Sequence, residues 1–331
     1  ALAHFVETGN LDGERRAATT YSEVLNSNFR SDEALEVIRP VYEGLDTVDD
    51  PVTIGVAAEA GRSLSLNFDP EAIIAIDRLL PGAAALELDR ITLESLVTLG
   101  TTYSWNQRWT EAMVVLRGAA LVAEELGLLR TAGRAYNNLG AISYIDSPRQ
   151  AAEYGAAAAE IISRLGDFGW MVRQASDTAG IDARDGRYEA ALARLDAFEE
   201  DQLSDWWKAT YTLNRSFVDM YRGEPGAGSR ALAAISYFDD DTDPQLRWGM
   251  DQAKCQVLEI DGRWDEAFEV AMQIDHINTG VGLYEGIQIA AWTGRLDRID
   301  EVVRKLEENA NEGRFVDAVH LLAFAVRGAL S

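Results

Sequence analysis

A phrase repeated about every forty residues constrains the fold of this 331-residue sequence more than any other feature. Each copy has a short turn, an acidic residue and a small or apolar residue that opens an apolar-periodic stretch. That last position is held by Ala34, Ala72, Ala112, Ala152, Ala191, Ala267 and Ile299. The interval between Ala191 and Ala267 is twice the usual one, which predicts a degenerate copy near residue 228. A fixed period of this kind predicts stacked supersecondary units.

A second position, twelve residues before the first, is almost always small. It is held by Ser22, Ala60, Gly100, Gly140, Ala179, Ser216, Cys255 and, as the exception, Ile287. Two helices that pack closely need a small residue where they cross, because side-chain size sets the distance between their axes. The pattern therefore predicts an all-α fold: a right-handed α-solenoid of about eight helix–turn–helix repeats, with residues 1–331 as a single domain.

Two segments carry a resemblance to a known repeat: "AYNNLGAISYIDSPRQAAEYGAAAAEI", with Leu139 and Gly140, and "TLGTTYSWNQRWTEA", with Leu99 and Gly100. They resemble the tetratricopeptide repeat (TPR), whose consensus places Leu-Gly in the first helix and an acidic residue with Ala after the turn. The longer period resembles the C-terminal helical repeats of bacterial LuxR-type and MalT-type ATPase regulators and of multidomain nucleotide cyclases. This resemblance implies a regulatory module in a bacterial signalling or transcriptional protein.

The two ends of the sequence predict helices without partners. The segment "GRFVDAVHLLAFAVRGALS" has the pattern of a first helix with no second helix following it, and "ALAHFVET" resembles the end of a helix. Solenoids close with polar capping units. We therefore expect a fragment of a larger protein, and the alternative is that these two helices are themselves caps.

Charge and composition bear on partners and location. The chain has 55 acidic and 30 basic residues, for a net charge of −25, and this average field repels nucleic acid and anionic membranes. No apolar run is long enough to cross a bilayer. A single cysteine suits a reducing compartment. These features predict a cytoplasmic protein that contacts neither nucleic acid nor membrane directly.

A glycine-rich stretch, "RGEPGAGSR", has the glycine spacing of a phosphate-binding loop. Ser229 and Arg230 follow Gly228, so the lysine that such a loop requires is missing. The stretch also lies where a repeat should turn, although the preceding "KATYTLNRSFVDMY" is compatible with either a helix or a strand. We therefore interpret it as the turn of the degenerate repeat.

The sequence gives little support for a metal site or for catalytic residues. Asp239, Asp241 and Asp243 have calcium-like spacing, but Pro244 and Met250 replace the glycine and the closing glutamate of a calcium loop. Asp243 is instead expected to cap a helix that starts at Pro244. Cys255 lies at the small-residue position and is expected to be buried. The sequence predicts no metal, no cofactor and no catalytic residue, and hence no enzyme.

The resemblance also implies where a partner binds, because first helices line the concave face of TPR arrays. The residues of this chain that correspond to concave-face positions are Thr98, Thr101, Trp105, Arg134, Asn137, Asn138, Tyr144, Arg173, Asp177, Arg184, Asn214 and Tyr221. Arginines among amides and aromatic rings predict a peptide, a protein or a small effector with a negative group. The alternative is that these are ordinary solvated helix positions.

Further alternatives remain for the function. Asn138 and Arg173 match the TPR carboxylate clamp, but Val97, Thr101 and Asp177 replace its other polar and basic residues, so a chaperone tail is not expected as the partner. A purely architectural or dimerisation module is a second possibility, and a homodimer is compatible with the chain. An enzyme with a pocket at the centre of the groove is less favoured.

Overall fold

The computed structural model describes residues 2–106, 108–143, 147–199, 203–238, 243–274 and 281–311. These residues form seventeen α-helices and no strand. The helices are α1 (Leu2–Thr8), α2 (Leu11–Ser27), α3 (Ser31–Glu43), α4 (Pro51–Leu66), α5 (Glu71–Ala85), α6 (Asp89–Trp105), α7 (Trp109–Glu125), α8 (Leu129–Ser143), α9 (Pro148–Leu165), α10 (Phe168–Arg184), α11 (Tyr188–Leu195), α12 (Asp205–Tyr221), α13 (Ala227–Ser236), α14 (Pro244–Ile260), α15 (Trp264–Gln273), α16 (Val281–Thr293) and α17 (Leu296–Asn311).

The helices belong to two compact units. Unit 1 consists of Ala1–Leu165 with Thr242–Gln245, and unit 2 consists of Gly166–Asp241 with Leu246–Ser331. Unit 1 thus holds α1 to α9 and the start of α14, and unit 2 holds the other helices. The single domain predicted for residues 1–331 stays a prediction.

Successive helices after α1 pair as hairpins, as the period predicts. In unit 1 the hairpins are α2–α3, α4–α5, α6–α7 and α8–α9, and their first helices α2, α4, α6 and α8 pack side by side. In unit 2, α10–α11, α12–α13 and α16–α17 are packed pairs, and α14 meets α15 through Cys255. The helices α2 to α17 therefore make eight consecutive helix pairs, which confirms the predicted repeat number and the all-α class.

The turn inside a hairpin explains why the repeated phrase so often contains glycine. Gly186 and Gly262 have φ angles of +76° and +73°, a left-handed conformation that glycine adopts without strain. The residue after each glycine closes the helix end, with the Arg187 amide donating to Asp182 and the Arg263 amide donating to Leu258, both at 2.8 Å. This six-residue closure satisfies carbonyl groups that the helix leaves free and stops the first helix at a fixed place.

The arginine after the turn also has a structural role. Arg108 and Arg263 immediately precede second helices and pair with Glu111 and Glu266, each at 2.7 Å. These glutamates lie in the first helical turn, where negative charge is favourable. The acidic residue of the repeated phrase is thus explained by the start of the second helices that carry one; α9 and α13 do not.

The small-residue position lies at the crossing in the third hairpin, whereas in the second hairpin the residue at the crossing is Gly61 instead of the predicted Ala60, with an added Cβ atom 2.9 Å from Ile76 Cγ1 on α5. A Cβ atom added at Gly100 would lie 2.6 Å from the Cγ atom of Leu116 on the partner helix α7. The fourth repeat departs from the predicted register by one residue. There the buried alanine is Ala151, and Ala152 is only half-buried, so the prediction of Ala152 as the packing residue is wrong. Gly140 faces the carbonyl oxygen of Ala151.

The glycine-rich stretch is a turn between two helices. Helix α12 ends at Tyr221 and α13 begins at Ala227, so no strand precedes the loop. Gly228 lies in the first turn of α13, and a Cβ atom there would come within 2.6 Å of Asp261 Oδ1. Close packing accounts for this glycine, and the interpretation of the stretch as a repeat turn is confirmed.

The predicted helix cap at Asp243 is present. Its Oδ1 atom accepts a hydrogen bond from the Gln245 amide at 3.0 Å, and α14 starts at Pro244. Its Oδ2 atom accepts a second bond from the Ser31 hydroxyl at 2.8 Å. Asp239, Asp241 and the predicted C-terminal helix at residues 313–331 lie outside the described residues.

The core is a series of small clusters that follow the chain. In unit 1, one cluster joins α2 to α5 around Ile38 and Ile54, and another joins α6 to α9 around Leu116 and Leu139. Unit 2 has further clusters of the same kind, the last around Phe268. Each cluster is built by neighbouring hairpins, as in repeat proteins. Among the helices described, none is both long and apolar enough to span a bilayer.

Candidate recognition surface on the first helices

The predicted site residues that the structure describes all lie on first helices. Thr98, Thr101 and Trp105 are on α6, and Arg134, Asn137 and Asn138 are on α8, all in unit 1. Arg173, Asp177 and Arg184 on α10, with Asn214 and Tyr221 on α12, are in unit 2. Tyr144 lies outside the described residues.

In unit 1 the structure brings two pairs of these residues together. The Asn138 amide donates to the Thr101 hydroxyl oxygen at 2.7 Å, and the Arg134 guanidinium lies 3.5 Å from the Thr98 hydroxyl oxygen. Each pair links α6 to α8. The side chains are therefore held in place by neighbouring first helices, which is the arrangement a preorganised binding surface needs.

These bonds continue a ladder of polar contacts between successive first helices, which we call the first-helix ladder. The Asn26 amide donates to Ser63 Oγ at 2.8 Å between α2 and α4, and the Thr102 hydroxyl donates to Ser65 Oγ at 2.9 Å between α6 and α4. The contact between Asn138 and Thr101 forms the third step. Short polar side chains let the helices approach closely while satisfying one another's hydrogen bonds.

The Trp105 side chain packs against a neighbouring repeat and contributes little to the exposed surface. It is half-buried, and its ring meets the Phe68 ring edge to face at a centroid distance of 4.9 Å. Phe68 follows α4 in a left-handed conformation. The aromatic contact thus joins two neighbouring repeats.

In unit 2 the predicted site residues are more exposed, or they form ion pairs and hydrogen bonds with other residues of that unit. Arg173 and Asp177 are both exposed and form an ion pair at 3.9 Å along α10. Arg184 donates to Gln256 at 2.8 Å, and the Asn214 amide donates to the Thr210 carbonyl of its own helix at 2.9 Å. This part of the predicted site has the character of ordinary solvated helix positions.

Sequence reasoning missed a buried carboxyl group on the same face of unit 1. Glu59 on α4 is 8% exposed, and its Oε1 atom accepts a hydrogen bond of 2.6 Å from the Asn26 amide on α2. Burial raises the pKa of Glu59 to about 7, and the nearby Arg62 charge and the Asn26 bond oppose that rise. At neutral pH this carboxyl group is therefore divided between its two protonation states.

Two arginines interact with this carboxyl group. Arg62 on α4 and Arg134 on α8 are half-buried, and neither forms an ion pair with a carboxylate of the described residues. Burial lowers the pKa of Arg134 to about 10, the Arg62 charge acts in the same direction, and Glu94 and Glu59 oppose it. Arg134 stays charged at neutral pH, so unit 1 presents two cationic groups, Arg62 and Arg134, that no carboxylate of the described residues contacts.

One signal in the sequence could have revealed Glu59. In "VAAEAGRSL" a single acidic residue stands among small and apolar residues on a helix, and Arg62 follows three positions later. A charged residue in such a setting is buried only with partners. The site residues implied by the TPR resemblance begin in the third repeat, where the Leu-Gly consensus first occurs. They therefore include no residue of α2 or α4.

A second buried polar group lies on the first helices of unit 2. Cys255 on α14 is fully buried, as predicted, and Glu259 and Glu285 lie beside it. Burial raises the pKa of Cys255, and it raises the pKa of Glu285 to about 7. A thiol that holds its proton is a poor nucleophile. Within the residues described, no set of three His, Cys, Asp or Glu side chains is arranged to hold a metal ion.

Comparison with known proteins shows which solved structures share this fold. Neither a protein-family model nor a curated protein sequence matches the chain significantly. The structure is similar to a Rap protein complexed with competence and sporulation factor, with 15% identity and a TM-score of 0.68 over 82% of this chain and 76% of that one.

Two further structures are similar over most of both chains. NprR in complex with its cognate peptide NprX has 13% identity and a TM-score of 0.52, covering 95% of this chain and 99% of its own. The apo form of RapI has 11% identity and a TM-score of 0.51, covering 95% and 97%. At these identities the likeness concerns the fold, and this chain has the fold of TPR-like helical repeat proteins.

Proposed function

We propose that this chain is a non-catalytic recognition scaffold that binds a peptide with a negative group on the first-helix face of its repeats. The observation that carries the proposal is Arg134, a half-buried guanidinium that makes no ion pair with the described carboxylates and lies one helical turn from the amide Asn138. Guanidinium groups bind carboxylates in a fork, and amides pair with peptide backbone.

The comparisons support a peptide as the ligand class. The similar NprR structure is a complex with its cognate peptide, and the similar Rap structure is a complex with competence and sporulation factor. Each repeat of such a fold contributes one strip to an extended surface, which suits an extended ligand. The resemblance to LuxR-type and MalT-type regulators and nucleotide cyclases further suggests a cytoplasmic bacterial regulator as the parent protein.

We propose no chemical reaction for this chain. Cys255 is buried and its thiol holds its proton, so it does not act as a nucleophile. Burial raises the pKa of Glu59 in unit 1 and of Glu285 in unit 2 to about 7, and we propose a catalytic role for neither carboxyl group.

A peptide library tests the proposal directly. The probe is a set of N-acetylated hexapeptides, screened by fluorescence polarisation against the wild-type chain and the variant Arg134→Ala. We expect acidic peptides to bind the wild type. Loss of the charge-assisted contact at the half-buried Arg134 should weaken binding by about thirtyfold or more, on the order of 2–5 kcal/mol.

Arg39→Ala is the matched control. Arg39 lies on the second helix α3 of unit 1 and pairs with Asp69 at 2.9 Å, so its loss should leave peptide binding unchanged. Equal binding by Arg134→Ala and the wild type would exclude Arg134 as part of the site and overturn this proposal. A wild-type chain that binds no peptide would favour the architectural or dimerisation alternative.

A further inference from the structure

Four first helices of unit 1 contribute to one cluster of charged and amide side chains. Asn26 comes from α2, Glu59 and Arg62 from α4, Glu94 from α6 and Arg134 from α8. Glu59 and Arg134 interact electrostatically, and both interact with Arg62. We call these five residues the unit 1 cluster. Only Arg134 among them belongs to the surface predicted from the sequence.

Asn26 has an acceptor that none of the described residues uses. Its side chain is 8% exposed, and its amide nitrogen donates both to Glu59 and to Ser63. With both protons of the amide group committed, Oδ1 is buried and has no partner among the described residues. Burying an acceptor without a donor costs about 1–3 kcal/mol, so such an atom favours a donor that the described residues do not supply.

The two arginines of the cluster differ from several other arginines of unit 1. Arg30, Arg39 and Arg108 each pair with a carboxylate at 2.9 Å or less. Arg62 and Arg134 are half-buried, as Arg39 is, but the described residues offer neither of them such a pair. Half-buried guanidinium groups that retain free donors bind carboxylates strongly, because little water competes for them.

Building on the proposed function, we propose that Arg62 and Arg134 bind a carboxylate of the peptide, that Asn26 Oδ1 accepts a hydrogen bond from a neighbouring peptide N–H, and that Glu59 competes with the bound carboxylate. The carboxylate can be an acidic side chain or the peptide's C-terminus, since both offer the same two oxygens. Glu59 thus supplies inside the cluster the negative charge that a bound carboxylate would otherwise supply to Arg62 and Arg134.

The competition makes binding depend on pH. The charged groups that act on Glu59 are Glu23 from α2, Arg62 from its own helix and Arg134 from α8, and Arg134 is in turn influenced by Glu94 and Arg130. Ionised Glu59 repels an incoming carboxylate, whereas the protonated form does not. Binding is therefore accompanied by proton uptake, and affinity should rise as pH falls through the region of the Glu59 pKa, about 7.

The experiment uses three hexapeptide pools, all N-acetylated. The first pool has an acidic side chain and an amidated C-terminus, the second has neutral side chains and a free C-terminus, and the third is neutral with an amidated C-terminus. Binding is measured at about pH 6 and at about pH 8. We expect the first or second pool to bind about fivefold more tightly at the lower pH, and the third to bind more weakly than either at both.

Variants isolate the site. Arg62→Gln should weaken binding of the carboxylate pools about tenfold or more, Arg62→Lys should restore part of it, and Glu59→Gln should remove the pH dependence while peptides still bind. Circular dichroism and thermal melting of each variant verify folding. Arg39→Gln is the control, because Arg39 is paired on a second helix.

The outcomes separate this inference from the proposed function. If Arg134→Ala weakens peptide binding and Arg62→Gln does not, the scaffold proposal stands and the two-arginine site is wrong. Unchanged pH dependence in Glu59→Gln also overturns the competition by Glu59. If the wild-type chain binds none of the three pools, the proposed function and this inference both fall.

Discussion

The Ser22 hydroxyl donates a hydrogen bond to the carbonyl oxygen of Ala34 at 3.1 Å, and the Cys255 thiol makes the equivalent contact with Ala267 at 3.4 Å. Both pairs are separated by twelve residues and join the two helices of one hairpin. Two distant repeats thus use the same contact at the same place. The twelve-residue spacing in the sequence therefore arises from the place where the two helices of a hairpin cross.

Cys255 should be shielded from reagents. Its thiol is buried and its pKa is raised, so the reactive thiolate is scarce at neutral pH. We expect slow labelling by a thiol reagent in the native state and fast labelling in denaturant. Cys255→Leu should lower the free energy of unfolding by about 1–3 kcal/mol through overpacking. Cys255→Ser keeps the donor and the size, and serves as control. Rapid native labelling would contradict this packing.

Two glycines of the third hairpin should respond in opposite directions to alanine. At Gly100 a Cβ atom would lie 2.6 Å from Leu116 Cγ, whereas at Gly118 on α7 no atom lies within 4 Å. Gly118→Ala should stabilise by up to about 1 kcal/mol through helix propensity. Gly100→Ala gains the same propensity but incurs an overpacking penalty of about 1–3 kcal/mol, so we expect net destabilisation. Urea denaturation measures both, and equal effects would refute the crossing at Gly100.

A buried carboxylate should anchor the fifth hairpin. Asp182 on α10 is 4% exposed and is bound by Arg187 and Arg194, each at 2.7 Å. Both arginines are about half exposed, so they regain water when the carboxylate is removed. Asp182→Ala should therefore destabilise by about 1–3 kcal/mol. Arg194→Ala should cost less, because Arg187 still pairs with Asp182; the reverse order in thermal melts would contradict this arrangement.

Glu59 should make the stability of the chain depend on pH. Burial raises its pKa from an ordinary value of 4.5 to about 7, so between these values the native state holds a proton that the unfolded state has released. The free energy of unfolding then falls as pH rises through this window and is constant above it. Glu59→Gln removes the effect, and its stability relative to wild type should rise by on the order of 3 kcal/mol between about pH 4 and pH 8.

Urea denaturation of wild type and Glu59→Gln at several pH values provides the check. Glu285→Gln is the matched variant in unit 2, because burial also raises the pKa of Glu285 to about 7. A difference between wild type and Glu59→Gln that does not change with pH would show that Glu59 has an ordinary pKa.

The fold was predictable because a hairpin imposes its geometry on the sequence in most copies. The turn selects a left-handed residue, the crossing selects a small one, and the second helix selects an acidic start, as at Gly262, Cys255 and Glu266. The error at the fourth repeat has a physical cause. Ala151 and Ala152 are the same residue type, so composition cannot show which of the two faces the partner helix.

The candidate site was less predictable because its contacts join distant positions. Asn26 and Glu59 are 33 residues apart, and nothing in either local pattern identifies the other as its partner. Positions transferred from TPR proteins named Arg134 and Asn138 as candidates, since the resemblance implies which face of a first helix lines the groove. They could not find Glu59, whose burial depends on the side chains that this chain places around it.

The first-helix ladder has a consequence for how unit 1 comes apart. Each step, such as Asn138 to Thr101 or Thr102 to Ser65, joins one helix only to its neighbour, so the stability of unit 1 is close to a sum of adjacent terms. Opening can therefore stop between any two hairpins, leaving the rest folded. Amide hydrogen exchange should reveal this as protection that changes in blocks along the chain, with block edges at the broken step. Occupation of the unit 1 cluster would tie four such blocks together and make them exchange as one.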